Sequence, residues 1–347
     1  ENVAQQTSDT PQNRAQAARI FGRIGQIEHF LDHYDAANTA FKRSIELSQR
    51  VVDEQPNNRR LRSELARQYR MHAETLIELN DLQAARQTFE LGRAQWNRLH
   101  TVDVLEPEDE LERIRIDHGL AELSLHADTT EMAQSEVESA HERIHLQPAA
   151  ETRPEFQFAE LENQRLSAMI LLARNELAAA EEVAKSALFK YQFRRDRFFA
   201  EDRTTMRLET QLINLIGQIA EARGDWEDAR EQYQAGLDIQ RRNLQGRREP
   251  SQFIVANSFL GEAGQLDHEA FCDYIETQLR LARVLIQLDR PYEAEYRLGQ
   301  CQLCSSVISA DRLDVLRYHV AEANTWALLW QSIHERRPNE ARAVLDQ

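Results

Sequence analysis

Hydrophobic and small residues recur along the chain with the 3.6-residue period of amphipathic helices, and a longer grammar sits on that period. Around GQIAEARGDWEDAREQYQAG, Gly217 is followed by Ala229 after 12 residues, Tyr233 after 4 more and Gly236 after 3 more. The same spacing links Gly25, Ala37, Phe41 and Ser44, then Ala73, Ala85, Phe89 and Gly92. It returns in Ala168, Ala180, Ala184 and Ala187, and in Ala282, Ala294, Leu298 and Cys301. Gly119, Ala133, Val137 and Ala140 keep it with two residues added, which predicts a looser turn at HADTTE. The central alanines, Ala37, Ala85, Ala133, Ala180, Ala229, Ala294 and Ala341, are 48, 48, 47, 49, 65 and 47 residues apart.

Small residues twelve apart with a larger one a turn later describe two antiparallel helices crossing closely, with one side chain filling the gap between backbones. The turns LDHYD, LNDLQ, RNELA, RGDWE and LDRPY each carry an Asn, Asp or Gly breaker before a new apolar run. The prediction is an all-α chain of about seven helical hairpins of roughly 48 residues, stacked as a solenoid. Residues 1–13 are expected to be a flexible lead and 14–347 a single solenoid. The 65-residue interval places an inserted loop around 244–270, with Phe253, Ile254, Val255 and Phe259 as its own anchor.

This set resembles the tetratricopeptide repeat family, most closely where Gly217, Gly224, Asp225, Trp226, Ala229, Tyr233 and Gly236 fall in register. The unit departs from the family's usual length of about 34 residues. The long unit, with QPNNRRLRSELARQYRMHAETL, also resembles tetratricopeptide regions C-terminal to the kinase domain of bacterial receptor-type serine/threonine kinases. The chain itself carries no Gly-rich phosphate loop, H-R-D or D-F-G. The family resemblance implies a right-handed superhelix whose first helices line a concave groove, acting as a non-catalytic scaffold or sensor and docking region for a protein or peptide.

In that register the groove positions are Arg19, Arg23, Gln26, His29, Phe30, Arg67, Arg70, Glu74, Arg113, Arg165, Arg280 and Arg283. Repeated guanidinium groups grip carboxylates or phosphates bidentately, so an anionic segment is the expected ligand. The alternative is that these arginines neutralise acids on adjacent helices. Overall the chain is acidic, with 42 Lys and Arg against 58 Asp and Glu, a net charge of −16, which argues against nucleic acid as the partner.

One pentapeptide points to different chemistry. HERIH, His141 to His145, matches the H-E-x-x-H pattern in which two histidines hold zinc and the glutamate activates water. The alternative function is therefore a zinc-dependent hydrolase using His141, Glu142 and His145. Against it stand Arg143 between the ligands and the lack of a recognisable third-ligand motif, although Glu151, Glu155, Glu160 and Glu162 follow. The balance of the pattern assigns no catalytic residue, metal site or cofactor. Cys301-x-x-Cys304 is read as core packing, because Cys301 fills the inward small slot. In KYQFRRDRFFAEDR, Tyr191, Phe193, Phe198 and Phe199 are read as packing a helix junction.

No run approaches a membrane span, and no signal pattern precedes the repeats. The absence of an initiator Met reads as an excised or processed chain, compatible with a larger membrane-anchored protein. Compartment is left open.

Overall fold

In a computed structural model the chain is described over residues 10–100, 106–148, 150–198, 203–245, 268–305, 323 and 325–330. Every regular element among them is helical. The helices are α1 Pro11–Phe30, α2 Tyr34–Glu54, α3 Arg59–Glu78, α4 Leu82–His100, α5 Pro107–His126 and α6 Thr130–Leu146. They continue as α7 Pro154–Ala173, α8 Leu177–Phe198, α9 Arg203–Arg223, α10 Trp226–Gln245, α11 His268–Gln287 and α12 Pro291–Ser305. Within each unit successive pairs form antiparallel hairpins, α1 with α2, α3 with α4, α5 with α6, α9 with α10 and α11 with α12, so the expected all-α fold of helical hairpins is the observed architecture. The chain divides into two compact units, residues 1–173 and 174–347. Residues 246–267 of the expected inserted loop, the lead at 1–9 and Ala341 of the seventh unit lie outside the described residues.

The period written in the alanines reappears in the backbone. Positive φ occurs at Asp32, Asn80, Asp128, Asn175, Gly224 and Asp289, with values from 54° to 85°. Each stands five residues before its alanine, in the left-handed region that Gly, Asn and Asp tolerate best. At Asp32 the residue donates its N–H to the carbonyl of His29 at 3.0 Å, and His33 donates back to Glu28 at 2.8 Å. The same pair of bonds closes the turns at Asn80, Asp128, Gly224 and Asp289. This is the Schellman ending, which satisfies the last carbonyls of the first helix and reverses the chain within four residues.

That geometry corrects the reading of the third unit. Thr129 donates to the carbonyl of Ser124 at 2.9 Å, as Asp81 does to Leu76, so no residues are added to the turn at HADTTE. The small residue twelve before Ala133 is Ala121, fully buried against Ala133, Val137 and Leu166. Gly119 serves another contact. A Cβ there would lie 2.4 Å from Cζ of Phe89 in α4, so the glycine admits the ring of the preceding hairpin.

Inside the first unit, the layers are built from these slots. Phe41 and Phe89 are buried one turn past their alanines, and Phe41 lies against the backbone of Gly25. Ala66, Ala73, Ala85, Phe89, Trp96, Ile116 and Leu120 join α3, α4 and α5 in one core layer. Leu111, Ile114, Ala140, Ile144, Phe156 and Ala159 join α5, α6 and α7 in the next. In the second unit Ala229, Tyr233, Tyr274, Ala282, Ala294, Leu298 and Cys301 share a core, with Trp326 and Trp330 packed against it. Cys301 is 1% exposed, in the inward slot assigned to it. Helix starts are fixed locally: Thr10 accepts from the Asn13 N–H at 3.2 Å ahead of Pro11, and Asn58 from the Leu61 N–H at 3.3 Å.

The aromatic stretch in α8 differs from its expectation. Tyr191 is buried, but Phe193 is 80% exposed and stacks on the likewise exposed Phe189 with ring centroids 6.4 Å apart. The two phenyl rings are four residues apart, one helical turn, so the same face that exposes one exposes the other. The side chains of Phe198 and Phe199 lie outside the described residues.

Candidate partner-binding face

In the first unit, the first helices of successive hairpins, α1, α3, α5 and α7, meet side by side, and a ladder of polar pairs runs across them. Arg19 of α1 donates through Nε and Nη2 to both oxygens of Glu64 in α3, each at 2.9 Å. Gln26 donates to Sδ of Met71 at 3.2 Å, and Nδ1 of His29 lies 3.0 Å from Oγ1 of Thr75. These contacts hold a register of 45 or 46 residues between neighbouring first helices. Ser63 continues it by donating to Asp109 at 2.8 Å, and His118 by facing Asn163 at 3.1 Å.

The arginines on this face differ sharply in how they are held. Arg70 donates to Glu112 at 2.6 Å and to Glu74 at 2.5 Å. Burial alone would ease its proton off; Glu74 and Glu112 outweigh that and hold the guanidinium firmly charged. Glu112 is likewise pushed up by burial and pulled below the usual carboxylate range by Arg70, Arg115 and Arg67. Arg165 repeats the arrangement with Glu162 at 2.8 Å and with Glu122. In the second unit, Arg280 donates to Glu276 at 2.9 Å, and Arg283 reaches Thr325 at 3.4 Å. Arg113 faces inward, buried, and donates to Asn97 of α4 at 2.9 Å.

Two cations are left loosely held. Arg23, exposed, donates only to Gln26 at 3.0 Å among the described contacts. Arg67, 43% exposed, approaches Glu112 no closer than 3.9 Å. The 45-residue register sets Arg23 of α1 beside the turn of α3 that carries Arg67. Phe30, at 72% exposure, completes the polar and apolar outline at the end of α1.

The carboxylate partners, Glu64, Glu112, Glu122 and Glu162, are the residues that the groove reading did not name. Their signal is periodic: Arg19 and Arg67 are 48 apart, and so are Glu64 and Glu112, which makes the second pair the repeat image of the first. Glu74 and Glu122 are also 48 apart.

The HERIH pentapeptide lies at the end of α6. Ile144 is buried, and Arg143 donates through Nε to the buried Asp117 of α5 at 2.9 Å, which ties the middle of the motif into the core. His141, Glu142 and His145 are exposed. The acid that approaches the two imidazoles is Glu160 of α7.

A profile of the tetratricopeptide repeat family matches residues 18–50, the hairpin of α1 and α2. The fold is that of a tetratricopeptide-repeat solenoid. Solved structures carry the likeness along the chain. BtubC (BKLC) from P. vanneervenii superposes with a TM-score of 0.51 at 16% identity, covering 80% of this chain and 91% of that one. A signal transduction ATPase with numerous domains from Pyrococcus horikoshii, with a tetratricopeptide repeat sensor, gives 0.51 at 14% identity over 99% of this chain. This chain spans 44% of that protein's length. A Rap protein complexed with Competence and Sporulation Factor gives 0.53 at 11% identity, over 97% and 95% of the two chains. No curated protein matches by sequence. No helix of the described residues of this tetratricopeptide solenoid is long and apolar enough to cross a membrane.

Proposed function

We propose that the chain is a non-catalytic protein-interaction unit, a scaffold or the sensor and docking region of a larger protein, whose ligand lies across the first-helix face of residues 10–173. The fold supports the reading, since stacked hairpins present a long side-by-side row of helices to one partner. It is also similar to the fold of part of the Pyrococcus horikoshii protein that carries a tetratricopeptide repeat sensor, and to that of the Rap protein bound to its factor.

The observation that carries the finer reading is the contrast among the arginines. Arg19, Arg70 and Arg165 are committed to carboxylates of this chain, whereas Arg23 and Arg67 are available. An anionic peptide or protein segment gains charge-assisted, bidentate hydrogen bonds there at little cost to the ladder. Phe30 supplies an apolar contact at the edge.

The test is a peptide-binding screen on the intact chain followed by titration of Arg23→Glu with Arg67→Glu, using Arg43→Glu on α2 as a control. Preferential capture of anionic sequences, weakened about tenfold or more by the double variant and not by the control, is the expected result. Equal binding of neutral and anionic peptides, or no effect of the double variant, overturns the anionic reading.

A further inference from the structure

We propose that His141, His145 and Glu160 form a binding site for a divalent transition-metal ion, zinc in the first instance, that clips α6 to α7. The two histidines are one helical turn apart on the outward side of α6, 52% and 59% exposed at their side chains. Their rings meet edge to face with centroids 4.1 Å apart. Glu160 arrives from the next helix, with its Oε2 at 3.8 Å from Nδ1 of His141 and 3.9 Å from Nε2 of His145. All three donor atoms lie within 4.8 Å of one another.

The frame beneath them is rigid. Ala140 and Ile144, which flank the histidines on α6, are buried against Phe156 and Ala159 on α7, and Ala159 immediately precedes Glu160. A zinc ion holds nitrogen and oxygen ligands at about 2.0–2.1 Å, so its ligand atoms sit about 3.3–3.5 Å apart. Small rotations of two half-exposed imidazoles supply the difference, while the backbone stays in place.

The independent observation is the carboxylate itself. Oε2 of Glu160 is shut off from solvent and has no hydrogen-bond partner among the described residues. A sequestered, unpartnered carboxylate oxygen is costly unless a cation or donor reaches it. Its other oxygen accepts from Gln164 Nε2 at 3.0 Å, which aims Oε2 at the imidazoles in the way outer-shell bonds orient metal ligands. The one cation inside the pentapeptide, Arg143, is held by Asp117 on the other side of α6. Two imidazoles and one carboxylate suit zinc, copper or nickel over magnesium or calcium. The arrangement thus takes its third ligand from packing between helices, where the sequence pattern offers none. The role assigned is a clip between α6 and α7, consecutive helices of the first unit, with the fourth position open to water.

The experiment is zinc titration, by calorimetry and equilibrium dialysis, of the untagged full chain after removal of metal with a chelator. Expected are one zinc per chain, loss of binding in His145→Ala, at least about tenfold weaker binding in Glu160→Gln, and a zinc-dependent rise in the parent's melting temperature that His145→Ala lacks. The side chains of His145 and Glu160 lie at the surface or its edge, and circular dichroism confirms that the variants fold. Cys304→Ser is expected to bind as the parent does. No saturable uptake up to about 100 μM zinc overturns the proposal. So does uptake that survives His145→Ala, uptake unchanged in Glu160→Gln, or uptake that disappears in Cys304→Ser.

Discussion

Single residues carry two kinds of information here, conformation and space, and they fail in different ways. Asn80 holds φ at 57° in its turn, a region that a β-branched side chain enters only with strain. Asn80→Val should cost about 1–2 kcal/mol, and Asn80→Gly should stay within about 1 kcal/mol of the parent, by urea denaturation. Gly119 is a matter of space. Replacing a helical glycine with alanine ordinarily stabilises by about 0.5–1 kcal/mol. Here the added methyl would stand 2.4 Å from Phe89, so Gly119→Ala should instead destabilise by about 1–3 kcal/mol. A stabilised Gly119→Ala would show that the ring moves aside freely. The turn residues were legible in the sequence because αL turns favour so few residue types. Gly119 was misassigned because its contact belongs to the neighbouring hairpin, which no spacing within a hairpin encodes.

Between elements, the polar groups decide how first helices lock together. His72 of α3 is buried beside Phe41 of α2 and faces Asn38 at 2.8 Å. Burial, with Lys42 nearby, lowers its pKa to about 4. The unfolded chain, with an ordinary imidazole near pH 6.5, then binds more protons than the folded one between pH 6.5 and 4, so stability falls as pH drops through that window. For this group alone the loss between pH 7 and pH 5 is about 2 kcal/mol, and His72→Gln should remove that part of the pH dependence. An unchanged slope in urea titrations at the two pH values would refute it. The ladder gives a second prediction. Arg70→Met removes the more buried of the two guanidinium groups bonded to Glu112, leaving Arg115 at 2.9 Å, and should cost about 1.5–3 kcal/mol, of which Glu112→Gln in the same chain restores a part. Non-additivity in that double-mutant cycle is the measured signature.

At the scale of the whole molecule, the charge of −16 sets what can approach. Duplex DNA should not be retained at about 150 mM salt, and filter binding checks this. An anionic peptide must enter against that field, so its association rate should rise as salt screens the repulsion, whereas a cationic peptide's should fall. Stopped-flow titration at two ionic strengths separates the two. What the sequence by itself determined was the helical class, the hairpin as the unit, its period near 48 residues and the positions of the turns. Those features follow from backbone sterics and from small residues needed where two nearby helices touch, and both are local enough to recur as letters. Only the tertiary structure decided which first-helix arginines are spent on this chain's own carboxylates, that Arg113 faces inward, that Phe193 faces outward, and that Glu160 meets His141 and His145. Each of these depends on which side chains stacking brings within a few ångströms across 15 to 45 residues of chain. Neighbouring helices fix such distances, and a linear pattern records only that a helix is there.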